Sequence, residues 1–222
     1  MLQLSCAERV EAVNAFNERY GEMERALWVL STNCRKSLLL HESSPVLEAL
    51  VWTLKSWWGV QGVTAQAKPL IAQALTELEW TSEMFDVRGP FDSASADWAA
   101  DRVGTVVARS LKLGLPRREF SLCSKTLHWL LPWRVPVYDN FVRQVLEVSD
   151  SLDLPDIYRT VARRIFREVK EIDAGDDCEW LGDIEPLSPL RGLDKCLWWR
   201  GGGESAPSGV KDPWGPIRGL GL

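Results

Sequence analysis

Apolar residues recur every three or four positions from Val10 through Val13, Phe16, Tyr20, Met23, Leu27 and Leu30, which puts one buried stripe on a long first helix. Pro45, after Ser43-Ser44, suits the first turn of a second helix from Val46 to about Trp57, with Leu47, Leu50, Val51 and Leu54 on one face. Gly59 and Gly62 break that pattern. Thr64 is the expected cap of a third helix through Leu78, with Pro69 marking a bend or a start. The stretch from Asp86 to Asp92 reads as a loop, and Ser93 or Ser95 as the cap of a helix running to about Lys112. Gly114-Leu115-Pro116 ends that helix.

Three short elements then follow closely: a helix from Ser121 to Leu131, a proline-bounded turn from Pro132 to Pro136, and a helix from about Tyr138 to Val148. Leu154 to Lys170 is amphipathic, with Ile157, Val161, Ile165 and Val169 on one ridge and Arg159, Arg163, Arg164 and Arg167 largely on the other side. An acidic loop is expected over 172–188 and a last helix from Pro189 to Trp199. Ten of the 22 residues from Gly201 onward are glycine or proline, so no regular element is expected there. With no period-2 strand in view, the pattern predicts an all-α chain: one helical domain over 1–200 and a Gly/Pro-rich tail over 201–222.

At 222 residues and 45% hydrophobic content the chain can bury a sizeable core. No apolar run nears the roughly 18 residues of a membrane span, and the N-terminus turns charged before a signal-peptide core forms, so a cytoplasmic protein is expected. Cys6, Cys34, Cys123, Cys178 and Cys196 are odd in number and never form a C-x-x-C pair, which predicts reduced, mostly buried thiols. With only His41 and His128 as imidazole ligands, neither a metal nor another cofactor is expected.

Charge changes the picture through its distribution. The net charge is −5, but the eight basic and two acidic residues from Arg102 to Arg143 give that stretch +6 and leave −11 for the rest. Such a block is either a nucleic-acid-facing surface or a set of solvated helix faces. Twelve tryptophans, with adjacent pairs at Trp57-Trp58 and Trp198-Trp199, are mostly core material. Near basic residues, however, tryptophan can also stack on an extruded base.

The segment GLPRREFSLCSKTLHWLLPWRVPVYDNFVR, Gly114 to Arg143, lies within a run of helix, hairpin, helix, turn and helix over about 103–149. It resembles the helix-hairpin-helix DNA glycosylases, in which a lysine-threonine pair opens the helix after the hairpin and a Pro-Val-Asp turn supplies a carboxylate. Lys125-Thr126 matches the pair. Pro136-Val137-Tyr138-Asp139 matches the turn with one residue inserted. Ser121-Leu122-Cys123-Ser124 stand where the hairpin glycines would be, and the lysine-to-aspartate spacing of 14 is about one helical turn short. Ser121 to Asn140 is more closely similar to bacterial proteins described as 8-oxoguanine glycosylase-like, which share S-x-x-S-K-x-L-H-[FW]-x-x-P-x-x-x-P-[IV]-Y-D-[SN]. The segments 52–63 and 188–199 also resemble that family.

The resemblance implies two helical subdomains flanking a base-binding cleft, and a partner that is double-stranded DNA carrying a modified base, either endogenous damage or a base in phage DNA. A nucleoid-associated location would follow. Breaking a glycosidic bond develops positive charge on the sugar, which a carboxylate such as Asp139 stabilises, while a neutral Lys125 amine can attack the sugar carbon and leave a Schiff base. The base must leave the stack to be read. Trp57, Trp58, Gln61, Tyr138, Asn140 and Trp198 are the candidate pocket residues. Arg117, Arg118, Ser121, Ser124, Arg134 and Arg143 are the candidate DNA contacts, the backbone of 121–125 at a helix start holding a phosphate.

Blander roles stand beside each of these. Lys125 can be a phosphate contact or a solvated lysine, Asp139 a helix cap, the arginines plain surface, the tryptophans core and His128 a satisfied core histidine. The competing function is a non-catalytic DNA-binding or protein-interaction module that keeps the fold.

Overall fold

The computed structural model describes residues 4–42, 45–57, 66–86, 90–148, 153–175 and 188–202. Helix α1, Cys6–Leu39, starts at a reciprocal cap: the Ser5 N–H donates to Glu8 Oε2 at 2.8 Å and the Glu8 N–H to Ser5 Oγ at 3.3 Å. Its apolar stripe is buried at Val13, Phe16, Met23, Leu27 and Leu30, and it continues through Cys34 and Leu38, which is why the helix outlasts the periodic stretch read from the sequence. The left-handed backbone of His41, φ 54°, follows its end.

The other helices are α2 (Pro45–Trp57), α3 (Ala67–Thr76), α4 (Ser82–Asp86), α5 (Ser93–Lys112), α6 (Phe120–Leu130), α7 (Asn140–Val145), α8 (Leu154–Gly175) and α9 (Pro189–Arg200). All regular structure among the described residues is helical, so the fold is all-α.

Several boundaries move from their expected places. Gln66 sits at the N-cap of α3 without a side-chain bond, Pro69 falls in its first turn where a missing N–H is harmless, and Thr64 lies outside the described residues. Asp92, not Ser93 or Ser95, caps α5, its Oδ1 accepting the Ser95 N–H at 2.8 Å. The short α4 was not expected, and α8 runs on into the stretch read as acidic loop. Cys34, Cys123 and Cys196 are buried free thiols, but Cys6 is disulfide-bonded, which departs from the all-reduced expectation.

The chain forms two compact units. The first comprises residues 1–21, 88–101 and 132–208. Its core gathers Ala96 of α5, Val142 and Leu146 of α7, Ile157, Val161, Ile165, Phe166 and Val169 of α8, and Leu190, Leu193, Cys196 and Leu197 of α9. There α9 packs against both α7 and α8. Ser188 fixes the start of α9 twice, accepting the Arg191 N–H at 3.1 Å and donating its hydroxyl to the Pro132 carbonyl at 2.5 Å.

The second unit comprises 22–87, 102–131 and 209–222. In it α2 packs on α3 and α6, burying Leu47, Leu50, Val51, Leu54, Ile71, Leu75, Leu122 and Leu127. No helix among the described residues is long and apolar enough to cross a membrane.

Candidate active site

In the second unit, Lys125 is the sixth residue of α6 and is 5% exposed, between the fully buried Ser124 and Thr126. An ammonium taken this far out of water carries a desolvation cost that a solvated surface lysine avoids. Burial therefore removes the reading of Lys125 as a solvated lysine. Its position also separates it from the helix start: α6 begins at Phe120, and the Cys123 N–H already donates to the Glu119 carbonyl at 2.9 Å. The amides of Ser124 and Lys125 lie beyond the first turn, where the helical ladder uses them.

Anion binding at that helix start meets two further facts. Ser124 Oγ donates to the Ser121 carbonyl at 3.0 Å inside the helix. Glu119, the N-cap residue, is buried and pairs with Arg117, and its negative charge adds to the burial that pushes the Cys123 thiol up. A carboxylate at this end offsets the attraction that a helix N-terminus holds for phosphate. Arg118 is exposed in the same turn, and Ser121 is half-buried in the first turn of α6. His128 is buried, its ring edge-on to Trp129 at 6.2 Å.

In the first unit, Asp139 caps α7. Its backbone is extended, φ −151° and ψ −175°, and Oδ1 accepts the Val142 N–H at 3.0 Å. Tyr138 beside it is half-buried and edge-on to Tyr158 at 5.9 Å, and the Tyr158 hydroxyl donates to the Pro136 carbonyl at 3.0 Å. Burial pushes the Tyr138 phenol up, Arg143 pulls it down and Asp139 pushes it up again, so the three form one electrostatic group. Arg134 stacks over Trp98 at 4.1 Å, and its partial burial lowers its pKa from the ordinary arginine value.

Trp198 is 8% exposed and edge-on to Phe16 at 5.0 Å and to Tyr20 at 5.6 Å, so most of its surface is packed against protein. Trp57 is the last residue of α2 and Asn140 the first of α7, with both side chains outside the description; Trp58 and Gln61 lie outside the described residues. Thus Arg134, Tyr138, Asp139, Arg143 and Trp198 belong to the first unit, and Arg117, Arg118, Ser121, Ser124 and Lys125 to the second.

A buried polar group on α9 was not read from the sequence. Arg191 and Asp194 form a buried ion pair, and Lys195, fully buried, donates to Asn17 Oδ1 of α1 at 2.5 Å. Charged residues at positions i, i+3 and i+4 on a helix whose other residues, apart from Pro189, Gly192 and the terminal Arg200, are Leu, Cys and Trp were the available signal. Among the described residues, no three or more of His, Cys, Asp and Glu gather where a metal could be held.

Comparison of the chain with models of protein families, with characterised proteins and with solved structures gives no match in any of the three.

Proposed function

We propose that the protein is a DNA glycosylase that excises a modified base from duplex DNA, with an associated strand-cleaving lyase step. The observation that carries this reading is the burial of Lys125, within a segment from Ser121 to Asn140 that resembles the 8-oxoguanine glycosylase-like pattern. A lysine kept out of water is one whose amine can be used as a nucleophile once it has lost its proton. A carboxylate at the start of α7, such as Asp139, is of the chemical type that stabilises a cationic sugar.

The roles follow from the chemistry. The Lys125 amine lone pair forms a bond to C1′ as the bond from C1′ to the base nitrogen breaks, and the base leaves with that electron pair and takes up a proton. A carboxylate such as Asp139 stabilises the positive charge that develops on the sugar, and the amine gives up its proton to water. Opening of the sugar ring gives a Schiff base, and loss of a C2′ proton expels the 3′ phosphate.

The test is borohydride trapping on duplexes that carry 8-oxoguanine, a panel of other modified bases, or an abasic site. The expected result is a covalent protein-DNA adduct that Lys125→Gln does not form. No adduct and no base release on any of these substrates would overturn the reading.

A further inference from the structure

The turn from Pro132 to Pro136 is fixed at both ends. The Pro132 carbonyl accepts the Ser188 hydroxyl at 2.5 Å, and the Pro136 carbonyl accepts the Tyr158 hydroxyl at 3.0 Å. Ser188 and Tyr158 are fully buried, and Val135 between the two carbonyls has no exposed surface. The start of α9 and the middle of α8 therefore hold the backbone that carries Arg134.

Arg134 itself is half-buried, and its guanidinium lies over the Trp98 ring of α5, 4.1 Å from the ring centre. All of these residues belong to the first unit. Among the described residues no oxygen accepts a hydrogen bond from the Arg134 guanidinium and no carboxylate pairs with it. Asp97, beside Trp98 in α5, spends its two oxygens on Arg163.

An arginine keeps its charge even when partly buried, so taking it out of water with no anion beside it leaves a desolvation cost uncompensated. Attraction to the tryptophan ring offsets only part of that. Stacking uses the face of the guanidinium and leaves the N–H fork along its edge unspent. Such a fork fits an anion that offers two oxygens side by side, and the two non-bridging oxygens of a phosphodiester are of that kind. Arg134 also lies in the stretch from Arg102 to Arg143 that carries +6 in a chain of net charge −5.

We propose that Arg134 is a preset clamp for one phosphodiester of the DNA, gripping it through paired N–H donors, and that Trp98 holds the guanidinium in place for this. Arg134 is the contact and Trp98 a positioning residue that neither the motifs nor the resemblance supplied. The ligand rests on the glycosylase reading above, while the clamp is built from residues of the first unit alone.

The test measures fluorescence anisotropy of a labelled duplex carrying a tetrahydrofuran abasic analogue, titrated with the full chain between about 50 and 200 mM salt. Arg134→Gln should weaken binding about 10-fold and reduce the slope of log affinity against log salt by about one. Arg134→Lys keeps the charge but not the fork, so it should keep the slope and still lose about 3- to 10-fold in affinity. Trp98→Leu should behave like Arg134→Lys, with Trp98→Phe restoring most of the loss, because phenylalanine keeps a ring face. In an Arg134→Gln background, Trp98→Leu should have no further effect, which a merely structural tryptophan would not show.

Affinity and slope unchanged in Arg134→Gln overturn this inference alone, and so does a Trp98→Leu loss that persists in full without Arg134. Should Trp98→Leu not fold, the Arg134→Gln slope and the Arg134→Lys affinity decide. A wild type that neither retains the duplex at low salt nor forms a borohydride adduct at a natural abasic site removes the glycosylase reading and this inference with it.

Discussion

Asp139 Oδ1 accepts the Val142 backbone N–H at 3.0 Å, so the carboxylate assigned to chemistry is also the cap of α7. The two roles separate on substitution. Asparagine caps a helix about as well as aspartate does, so Asp139→Asn should leave the urea midpoint nearly unchanged while base release falls about 100-fold or more. Asp139→Ala should lose activity to the same extent and about 1 kcal/mol of stability as well. Equal activity in wild type and Asp139→Asn would leave the residue with its capping role only.

The free thiols give a second expectation. Burial is the main cause that pushes Cys34, Cys123 and Cys196 up, Cys196 to about 12 because Arg9 and Arg200 partly counter it. The thiolate is the reactive form, so an aromatic disulfide reagent at pH 8 should leave all three untouched in the native protein and modify them after unfolding. The sign of the linked effect follows. Thiols whose folded pKa is raised contribute stability that is fully present below the ordinary thiol range and is lost as pH rises through the folded value. Mass spectrometry of the native and urea-treated protein, taken over time, checks the reactivity.

How far the sequence could be read depended on whether a helix has one covered face or two. In α1 and α8 one face is buried, and Phe16, Leu27 and Leu30 or Ile157, Val161 and Ile165 appear at helical spacing for that reason. In α9 nearly every side chain is buried, so periodicity has nothing to mark, and Arg191, Asp194 and Lys195 look like a solvated face although they lie inside. Helix α4, five residues long, is shorter than the window in which a period can be seen. Caps were ambiguous in kind, since Asp92, Ser93 and Ser95 all carry suitable oxygens and only the backbone geometry picks Asp92. Of the candidate site, Asp139 as a cap and Lys125 as a distinctive lysine were legible from local sequence. The Lys195 contact with Asn17 joins residues 178 positions apart and leaves no local trace.

Asp97 on α5 takes two bonds of 2.7 Å from Arg163 on α8, with Arg159 at 3.8 Å. The Arg163 hydrogen bond is the largest cause holding its carboxyl below the usual aspartate value; burial opposes it, and the charges of Arg163 and Arg159 add to the lowering. A depressed carboxyl contributes stability that is present above the ordinary aspartate range and is lost as pH falls through the folded value. Asp97→Asn should therefore cost at most about 1 kcal/mol near neutral pH, the upper end for an exposed pair. The gap to wild type should close in acid and shrink in 1 M salt, conditions under which the carboxylate is neutralised or screened. Urea midpoints at neutral and acid pH, each at low and high salt, check it.

Gly201 ends α9 with its N–H donating to the Leu197 carbonyl at 2.9 Å, and its φ of −74° is open to any residue. The demand for glycine is one of space. A Cβ built there would stand 2.8 Å from Phe141 Cδ1 and 3.1 Å from both Phe141 Cβ and the Leu197 carbonyl oxygen, so neither a ring rotation nor a flexible tip relieves all three contacts. Because α7 packs on α9 at this point, Gly201→Ala should push the two helices apart and cost about 1–3 kcal/mol, the range for overpacking. Phe141→Ala removes the ring contact but keeps its Cβ, so the double variant should lose less stability than the two single changes added together. Additive losses in urea unfolding would mean that the two residues do not meet, and would place the need for glycine elsewhere.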